Sequence, residues 1–267
     1  MAGGARPKST VRDTDGRLAL GKFPSQPDQR DVIRGEILAM HLAAKAGINV
    51  VPARVELING MAAAIIRRST APMMPAVFPT RRPRRCCSPT AVTHRMPTRN
   101  WWTCCFEWAP TRWADIHELW RRLAFNFLIC NTDDHLPNTG FLYDARRHGW
   151  RLLPAFDLDP MPGDRRESET WLTEDSGVIA SRALLMSEAS YFRLKAEQAN
   201  EISGEVVQAV ARWRAVAKGL GMRDTDVLTS SPRWLSKDYL KCAELAHPPG
   251  TDHRRCRRPA RRSGHAL

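Results

Sequence analysis

The strongest constraint on this sequence is a short polar stretch, Asn131–Asn138 (NTDDHLPN), that lies between two patterned segments. Before it, the apolar residues of Glu118–Cys130 recur with the period of a helix. After it, two apolar runs, Phe141–Tyr143 and Trp150–Leu153, flank a polar turn and predict a β-hairpin. A second acidic turn, Pro154–Pro160, follows this hairpin. The order of elements predicts that the two acidic turns lie close together.

The spacing within these turns is typical of a phosphoryl-transfer site. Such a site needs a carboxylate near the acceptor hydroxyl, and an amide oxygen and a second carboxylate that hold Mg²⁺. Asp133 and Asn138 have the D-x-x-x-x-N spacing of a kinase catalytic loop. The hairpin reverses the chain and would return Asp157 to the neighbourhood of Asn138. An ordinary surface loop that caps a helix has a similar composition, so the hairpin and the second acidic turn are what favour a site.

These residues resemble the catalytic core of HipA-like serine/threonine kinases, the toxin halves of bacterial toxin–antitoxin pairs. The resemblance is dense over Asp115–Pro160, where N-T-D-D-H-x-x-N, G-F-L-Y and W-R-L-L-P-A-F-D-L-D-P follow in order. It implies an α+β, protein-kinase-like two-lobe fold with a small β-rich N-lobe fragment and a mostly helical C-lobe. It implies that Asp133 is the base and that Asn138 and Asp157 hold Mg²⁺. His135 belongs to the same catalytic motif, where a histidine more often orients its neighbours than transfers protons.

A glycine-led loop, Gly3–Thr10, is predicted at the start of the chain. Glycines such as Gly3 and Gly4 allow backbone amides to approach phosphate oxygens, and Lys8 adds a point charge. A flexible N-terminus has the same composition. In HipA-like kinases the letters G-G-A-R-P-K form the loop that covers the nucleotide, which implies ATP as a cofactor. Family members carry at least one more strand before this loop, so the resemblance predicts a truncated N-terminus.

Lys22 and Glu36 lie on two predicted elements that face each other in kinases. Arg17–Pro24 is typical of a short strand ended by proline, and Asp31–Gly47 of an amphipathic helix with a glycine stop. A strand lysine grips phosphates in kinases, and a helix glutamate pairs with that lysine. Lys22 begins the K-F-P-S motif of the family, and Glu36 matches its helix glutamate. Taken alone, each is an ordinary solvated side chain.

Further elements are predicted outside these motifs. An N-G turned hairpin is expected over Val50–Ile66. A polar loop over Asp164–Asp175 and a helix over Val178–Ala189 follow the second acidic turn. Lys195–Leu220 carries an apolar helical face closed by glycine, and Trp213 on that face is interpreted as a core residue.

One segment, from Ala71 to about Arg112, has neither helical nor strand periodicity. Three interpretations remain open. A zinc site on its four cysteines is disfavoured because adjacent cysteines do not readily reach two corners of one tetrahedron; they are Cys86, Cys87, Cys104 and Cys105. A basic, aromatic arm that binds nucleic acid is the second interpretation. The third is a wrong-frame translation, which the excess of Arg, Pro, Cys and Trp between two patterned blocks favours.

The net charge of +13 would ordinarily indicate a nucleic-acid partner, but its distribution argues against one. Residues 68–112 hold eight arginines and one acid, a net charge of +7, and residues 246–267 hold six arginines and one acid, a net charge of +5. The remainder is near neutral, as in a cytosolic enzyme. Because the sequence has neither an apolar run of about 18 residues nor a signal-peptide segment, a cytoplasmic location is predicted.

These patterns predict four regions. Residues 1–69 form an N-lobe fragment with the nucleotide loop and the strand lysine, and residues 70–113 are irregular. Residues 114–245 form a catalytic helical C-lobe. Residues 246–267, rich in Pro, Arg and His, are a disordered basic tail.

The resemblance implies an ATP- and Mg²⁺-dependent protein kinase with proteins such as aminoacyl-tRNA synthetases as substrates. Its partner would be a helix-turn-helix antitoxin, and it would bind DNA only indirectly, through this antitoxin. One alternative is a catalytically impaired relic that only docks the antitoxin. Pro137 favours it, because many relatives have Lys or Arg there and such a cation could neutralise the transferred phosphate. A small-molecule phosphotransferase is the other alternative, but G-G-A-R-P-K and K-F-P-S favour a protein kinase.

Overall fold

The structure is a computed structural model, and its elements fall into a β-rich N-terminal part and a mostly helical C-terminal part. It describes residues 6–26, 28, 30–67, 113–131, 133–134, 138–144, 149–161, 171–173, 177–179 and 181–229. The N-terminal elements are β1 (Lys8–Arg12), β2 (Leu18–Lys22), α1 (Val32–Lys45), β3 (Ala53–Ile58) and β4 (Met61–Arg67). The C-terminal elements are α2 (Trp113–Ile129), β5 (Phe141–Asp144), β6 (Gly149–Leu152), β7 (Trp171–Thr173), β8 (Gly177–Val178), α3 (Arg182–Ser187), a 3₁₀ turn (Ala189–Phe192), α4 (Ala196–Ala211), α5 (Trp213–Gly219) and α6 (Asp224–Thr229).

The N-terminal strands form one antiparallel sheet in the order β1-β2-β4-β3. Asn59 and Gly60 join β3 to β4 and have φ angles of 51° and 79°. A two-residue hairpin turn of this kind needs the left-handed backbone at both positions, which Asn and Gly adopt most readily. The hairpin predicted around this pair is therefore confirmed.

Helix α1 confirms the helix predicted over Asp31–Gly47. The side chain of Asp31 accepts a hydrogen bond from the amide of Arg34 at 2.9 Å and caps the N-terminus. Gly47 has a φ of 77°, the left-handed conformation with which many helices end. The apolar face of the helix is buried, so both ends and the inward face follow from local sequence.

The loop predicted over Gly3–Thr10 is wrong at its C-terminal end. Lys8, Ser9 and Thr10 belong to β1, which pairs with β2 so that Lys8 lies opposite Lys22. The side chains of β1 are mostly exposed, so the sequence lacks the apolar alternation that reveals a half-buried strand. Backbone hydrogen bonds to β2, rather than side-chain burial, define this strand.

Two predictions after the second acidic turn also need correction. Trp171–Thr173, predicted as part of a polar loop, is a strand that pairs with β8. Val178, predicted to begin a helix, lies in β8. Helix α3 starts later because the Ser181 hydroxyl accepts a hydrogen bond from the amide of Leu184 at 3.1 Å and caps the helix there.

The hydrophobic core extends from the sheet and α1 into α2 and α4. Trp120 on α2 is fully buried, and its ring centroid lies 5.3 Å from that of Phe192. The helix predicted over Lys195–Leu220 is divided at Arg212 into α4 and α5. Trp213 is 2% exposed, which confirms its interpretation as a core residue.

The predicted hairpin after the first acidic turn is confirmed, since β5 and β6 pair antiparallel. The chain beyond it then runs beside the connection between α1 and β3. The amide of Ala155 donates to the carbonyl of Asn49 at 2.7 Å, and the amide of Val51 donates to the carbonyl of Ala155 at 3.1 Å. This short parallel pairing joins the β-rich and helical parts two residues before Asp157.

Some predicted features lie outside the described residues. They include residues 70–112 and 246–267, and with them the three interpretations of the irregular segment. Trp113, predicted to end that segment, is instead the first residue of α2. Among the helices that the structure describes, none is both long enough and apolar enough to cross a membrane.

An ion-pair cluster ties the turn between β1 and β2 to the opposite edge of the sheet. Asp13, whose side chain is 3% exposed, accepts hydrogen bonds from the guanidinium of Arg54 at 2.7 and 3.1 Å. Beside it, Arg67 donates to Asp15 at 2.7 Å. The hydrogen bonds from Arg54 and from the amide of Thr14 hold the pKa of Asp13 well below its usual range.

We expect Asp13→Asn to weaken the acid dependence of stability. Because its folded pKa lies below the unfolded value of about 3.9, Asp13 stabilises the fold above that pH and loses this contribution as the pH falls through the folded pKa. Urea unfolding at neutral and acid pH should therefore show a smaller difference in the variant than in the wild type. Asp15→Asn, at a more exposed acid in the same cluster, is the matched control. An unchanged difference in Asp13→Asn would contradict the assignment.

Candidate active site

The side-chain amine of Lys22 contacts two carboxylates from distant parts of the chain. Its Nζ donates to Glu36 Oε1 at 2.6 Å and to Asp157 Oδ1 at 2.7 Å. The side chains of Lys22 and Glu36 are 14% and 8% exposed, whereas that of Asp157 is 45% exposed. Lys22 Nζ therefore contacts both the buried carboxylate of Glu36 and the more exposed carboxylate of Asp157.

Three elements bring these groups together. Lys22 ends the central strand β2, where Ala64 of β4 pairs with it. Glu36 lies on the buried face of α1. Asp157 follows the pairing at Ala155 and has a φ of 57°, which is uncommon for a residue with a side chain. Such backbone conformations cluster at functional sites, where the surrounding structure holds them in place.

The environment of these charges favours an ammonium at Lys22. Burial raises the pKa of Glu36, and the nearby charge of Lys22 only partly opposes this effect. Burial acts to lower the pKa of Lys22, but the charges of Glu36 and Asp157 outweigh it and the pKa is raised. Lys22 is thus charged at neutral pH, as a ligand of phosphate oxygens needs to be.

The side chain of Asn138 closes the first acidic loop. Its Nδ2 donates to the main-chain carbonyl of Asp133 at 2.9 Å. At the start of the loop, Cys130 has a φ of 49° and turns the chain out of α2, while the amide of Asn131 donates to the carbonyl of Asn126 at 3.0 Å. The D-x-x-x-x-N spacing therefore corresponds to a loop whose two ends are tied together.

A single pocket gathers polar groups from both acidic loops. It opens to solvent and spans about 620 Å³, a volume that includes the open solvent at its mouth. Its lining includes Asn131, Asp134, Asn138 and Thr139 from the first loop and Phe156 and Asp157 from the second. Asn138 and Asp157 thus border the same space. Of the two adjacent acids that the structure describes in the first loop, Asp134 lines the pocket and Asp133 is exposed to solvent.

Lys8 adds positive charge near Lys22. The two residues are directly opposite in the pairing of β1 with β2, so their side chains project from the same face of the sheet. Lys8 is exposed. The other members of the predicted set, Gly3, Gly4 and His135, lie outside the described residues.

Sequence reasoning missed the arginines that connect the two parts of the chain around this site. Arg30, before α1, donates to the carbonyl of Pro160 at 2.8 Å and to Asp159 at 3.1 Å. Arg6 also pairs with Asp159, at 3.6 Å. Arg122 of α2 is buried and lines the pocket. No local pattern marks an arginine whose partner lies 130 residues away, as for Arg30.

The groups at this pocket suit a magnesium ion that is held partly by phosphates. The described residues contain no group of three or more His, Cys, Asp or Glu side chains that could hold a metal by themselves. Mg²⁺ in nucleotide sites usually takes one or two carboxylates, with waters and substrate phosphates completing its octahedron. The half-exposed carboxylate of Asp157 and the amide oxygen of Asn138 fit that pattern.

Comparison with known sequences identifies the family of this chain. The sequence model of the HipA-like C-terminal domain matches residues 1–214. The chain belongs to this family. The HipA-like resemblance drawn from the motifs is thereby confirmed. No curated protein matches the sequence.

Solved structures of similar architecture include a HipA toxin. HipA of Shewanella oneidensis MR-1, solved with HipB and its operator DNA, matches with a TM-score of 0.65 and 12% identity over 91% of this chain. The chain spans 63% of the length of that HipA. This match confirms the α+β, kinase-like two-lobe fold predicted from the sequence. The Helicobacter pylori proinflammatory kinase CtkA matches with a TM-score of 0.48 and 12% identity, over 78% of this chain and 90% of its own.

Proposed function

We propose that this HipA-like protein is an ATP-dependent serine/threonine protein kinase and the toxin of a toxin–antitoxin pair. The observation that carries the proposal is the double contact of Lys22 Nζ, with Glu36 at 2.6 Å and Asp157 at 2.7 Å. Kinases place a strand lysine beside a helix glutamate and a metal-binding aspartate to hold Mg²⁺ and ATP. Family membership supports the toxin half of the proposal.

In this proposal, the phosphates of ATP would bind between the sheet and the two acidic loops. Lys22 contacts the phosphates, and Glu36 holds Lys22 in position. Gly3 and Gly4 would bring backbone amides to the phosphate oxygens, and Lys8, at the start of β1, would add a cation. The pairing of Lys8 with Lys22 across β1 and β2 puts both side chains on one face of the sheet, which supports a phosphate site there.

The two acidic loops would supply the ligands of the metal and the base for the acceptor hydroxyl. Asn138 and Asp157 hold Mg²⁺, which supplies charge neutralisation at the phosphates when bound. Asp133 accepts the proton of the attacking serine or threonine hydroxyl, and His135 orients neighbouring groups by hydrogen bonding. The exposed position of Asp133 leaves room for a protein segment to approach it.

The proposed partner is a helix-turn-helix antitoxin, and DNA is reached only through it. The support is that HipA of Shewanella oneidensis MR-1 was solved with HipB and its operator DNA. The proposed substrate is a protein such as an aminoacyl-tRNA synthetase. The proposed location is the cytoplasm.

A phosphate-transfer assay tests the proposal. Purified protein incubated with Mg²⁺ and γ-labelled ATP should transfer label to itself or to an added synthetase, and chelation of Mg²⁺ should stop the transfer. A folded protein that binds no nucleotide and transfers no label would refute the kinase proposal.

A catalytically impaired relic that docks only an antitoxin is the second candidate. Pro137 favours it, because many HipA-like kinases have Lys or Arg at this position and a cation there could stabilise the transferred phosphate. ATP binding without any label transfer, together with a stable antitoxin complex, would support the relic over the active kinase.

A further inference from the structure

Arg122 is a buried cation with main-chain partners on both sides of the site. It is 6% exposed. Its Nη2 donates to the carbonyl of Leu153 at 2.7 Å and to that of Asn49 at 3.4 Å. Its Nε donates to Glu118, one turn earlier on α2, at 3.1 Å. One guanidinium therefore contacts the chain that leaves β6 and the chain that connects α1 to β3.

These carbonyls lie at the pairing that precedes Asp157. The carbonyl of Asn49 that faces Arg122 also accepts the amide of Ala155 at 2.7 Å. Leu153 and Ala155 are the residues through which the chain reaches Asp157. Arg122 thus contacts the chain segments whose pairing joins the β-rich and helical parts. It also lines the same pocket as Asp157 and Asn138.

Packing alone does not require a charged side chain at a buried position such as that of Arg122. Buried ion pairs can often be replaced by apolar side chains of similar volume with little loss of stability. Burial lowers the pKa of Arg122, and the carboxylate of Glu118 opposes this effect; a guanidinium stays charged in either case. A planar fork with several donors is, however, suited to holding two carbonyls and a carboxylate at once.

We propose that Arg122 is a positioning residue for the metal-binding aspartate. By contacting the carbonyls of Asn49 and Leu153, it fixes the pairing that places Asp157 on the pocket it shares with Asn138, and so it sets the affinity of the pocket for Mg²⁺. This inference rests on the proposed kinase function, because it assigns Mg²⁺ to Asp157 and Asn138.

The test compares Arg122→Lys with Arg121→Lys in the full-length chain. Lysine keeps a positive charge but lacks the Nε donor to Glu118 and the rigid plane that fixes this donor relative to the Nη2 that contacts the two carbonyls. Arg121, the neighbour on α2, donates to the carbonyl of Ala46 at 2.7 Å and pairs with Glu205. It is the matched control because it also joins α2 to the end of α1.

The readout is the ratio of ATP dissociation constants measured by calorimetry in EDTA and in Mg²⁺. Groups that orient metal ligands typically contribute about 10- to 100-fold to metal affinity, so Arg122→Lys should lower this ratio about tenfold. Arg121→Lys should keep the wild-type ratio. A purely structural role would change the melting temperature of Arg122→Lys but not the ratio, because the folded fraction would bind Mg²⁺ normally.

The outcomes separate this inference from the function on which it rests. A wild-type protein whose ATP affinity does not depend on Mg²⁺ would overturn the positioning role, and the absence of both nucleotide binding and label transfer would overturn the kinase proposal as well. A Mg²⁺-dependent wild type with an unchanged ratio in Arg122→Lys would overturn the positioning role alone. If Arg122→Lys does not fold, the double variant Glu118→Gln/Arg122→Gln removes both charges of the pair together, and a wild-type ratio in it would equally overturn the proposal.

Discussion

Asp133→Asn should lower the rate of phosphate transfer to protein about 100-fold or more, because the amide cannot accept the proton of the attacking hydroxyl. The substitution is nearly isosteric. The hydrogen bond that closes the loop uses the main-chain carbonyl of Asp133, which accepts from Asn138 Nδ2 at 2.9 Å. The loop should therefore keep its shape, and the affinity for ATP should stay at the wild-type value. Single-turnover label transfer and nucleotide titration measure the two quantities.

Asp134→Asn is the matched control for this prediction, because Asp134 is adjacent and lines the pocket. If Asp133 is the base, Asp134→Asn should retain far more transfer than Asp133→Asn. The opposite ranking would assign the proton transfer to Asp134 and leave the kinase proposal intact. Wild-type rates in both variants would contradict the assignment of a base to this loop.

Lys22→Met should abolish transfer and also lower the free energy of unfolding by about 3 kcal/mol, the range found when one partner of a buried ion pair is removed. The loss of the ammonium leaves Glu36, whose side chain is 8% exposed, without its partner at 2.6 Å. Burial already raises the pKa of Glu36, and the loss of Lys22 should raise it further. Chemical unfolding at several pH values measures the effect.

The pH dependence of Lys22→Met has a definite sign. With the pKa of Glu36 raised in the folded state, the folded protein binds more protons than the unfolded chain in the pH range between the two values. The variant should therefore regain stability as the pH falls through the folded pKa of Glu36 and approaches the ordinary carboxyl range. The wild type, in which Lys22 compensates the carboxylate, should show a weaker trend.

A double variant separates stability from function at this pair. Lys22→Met/Glu36→Gln removes both charges, so it should recover most of the unfolding free energy and still transfer no phosphate. Lys8→Met, at the exposed lysine opposite Lys22, controls for loss of charge on this face and should leave stability unchanged. Wild-type transfer by a folded Lys22→Met protein would refute the assignment of Lys22 to the phosphates of ATP.

Much of the fold followed from patterns within a few residues of one another. The turn at Asn59-Gly60 and the helix end at Gly47 were both predicted from residues whose backbone preferences are strong. Strand β1 could not be predicted from the sequence, because its mostly exposed residues show no alternation of apolar and polar side chains. Only its pairing with β2 defines it as a strand.

The candidate site was readable in part. Spacing and resemblance indicated Lys22, Glu36, Asn138 and Asp157. In the structure, Lys22 contacts both Glu36 and Asp157, and Asn138 lines the same pocket as Asp157. Which of two neighbouring acids lines the pocket could not be predicted from the sequence: Asp134 lines it, whereas the adjacent Asp133 is exposed.

By itself, the sequence determined the local elements, the family and the residue types at the two acidic loops, because these depend on order and spacing along the chain. Only the tertiary structure decided which charges meet. Lys22 contacts a carboxylate 135 residues away, and Arg122 holds main-chain carbonyls of Asn49 and Leu153. Every residue has a carbonyl, so such contacts carry no sequence signature and arise only from the path of the folded chain.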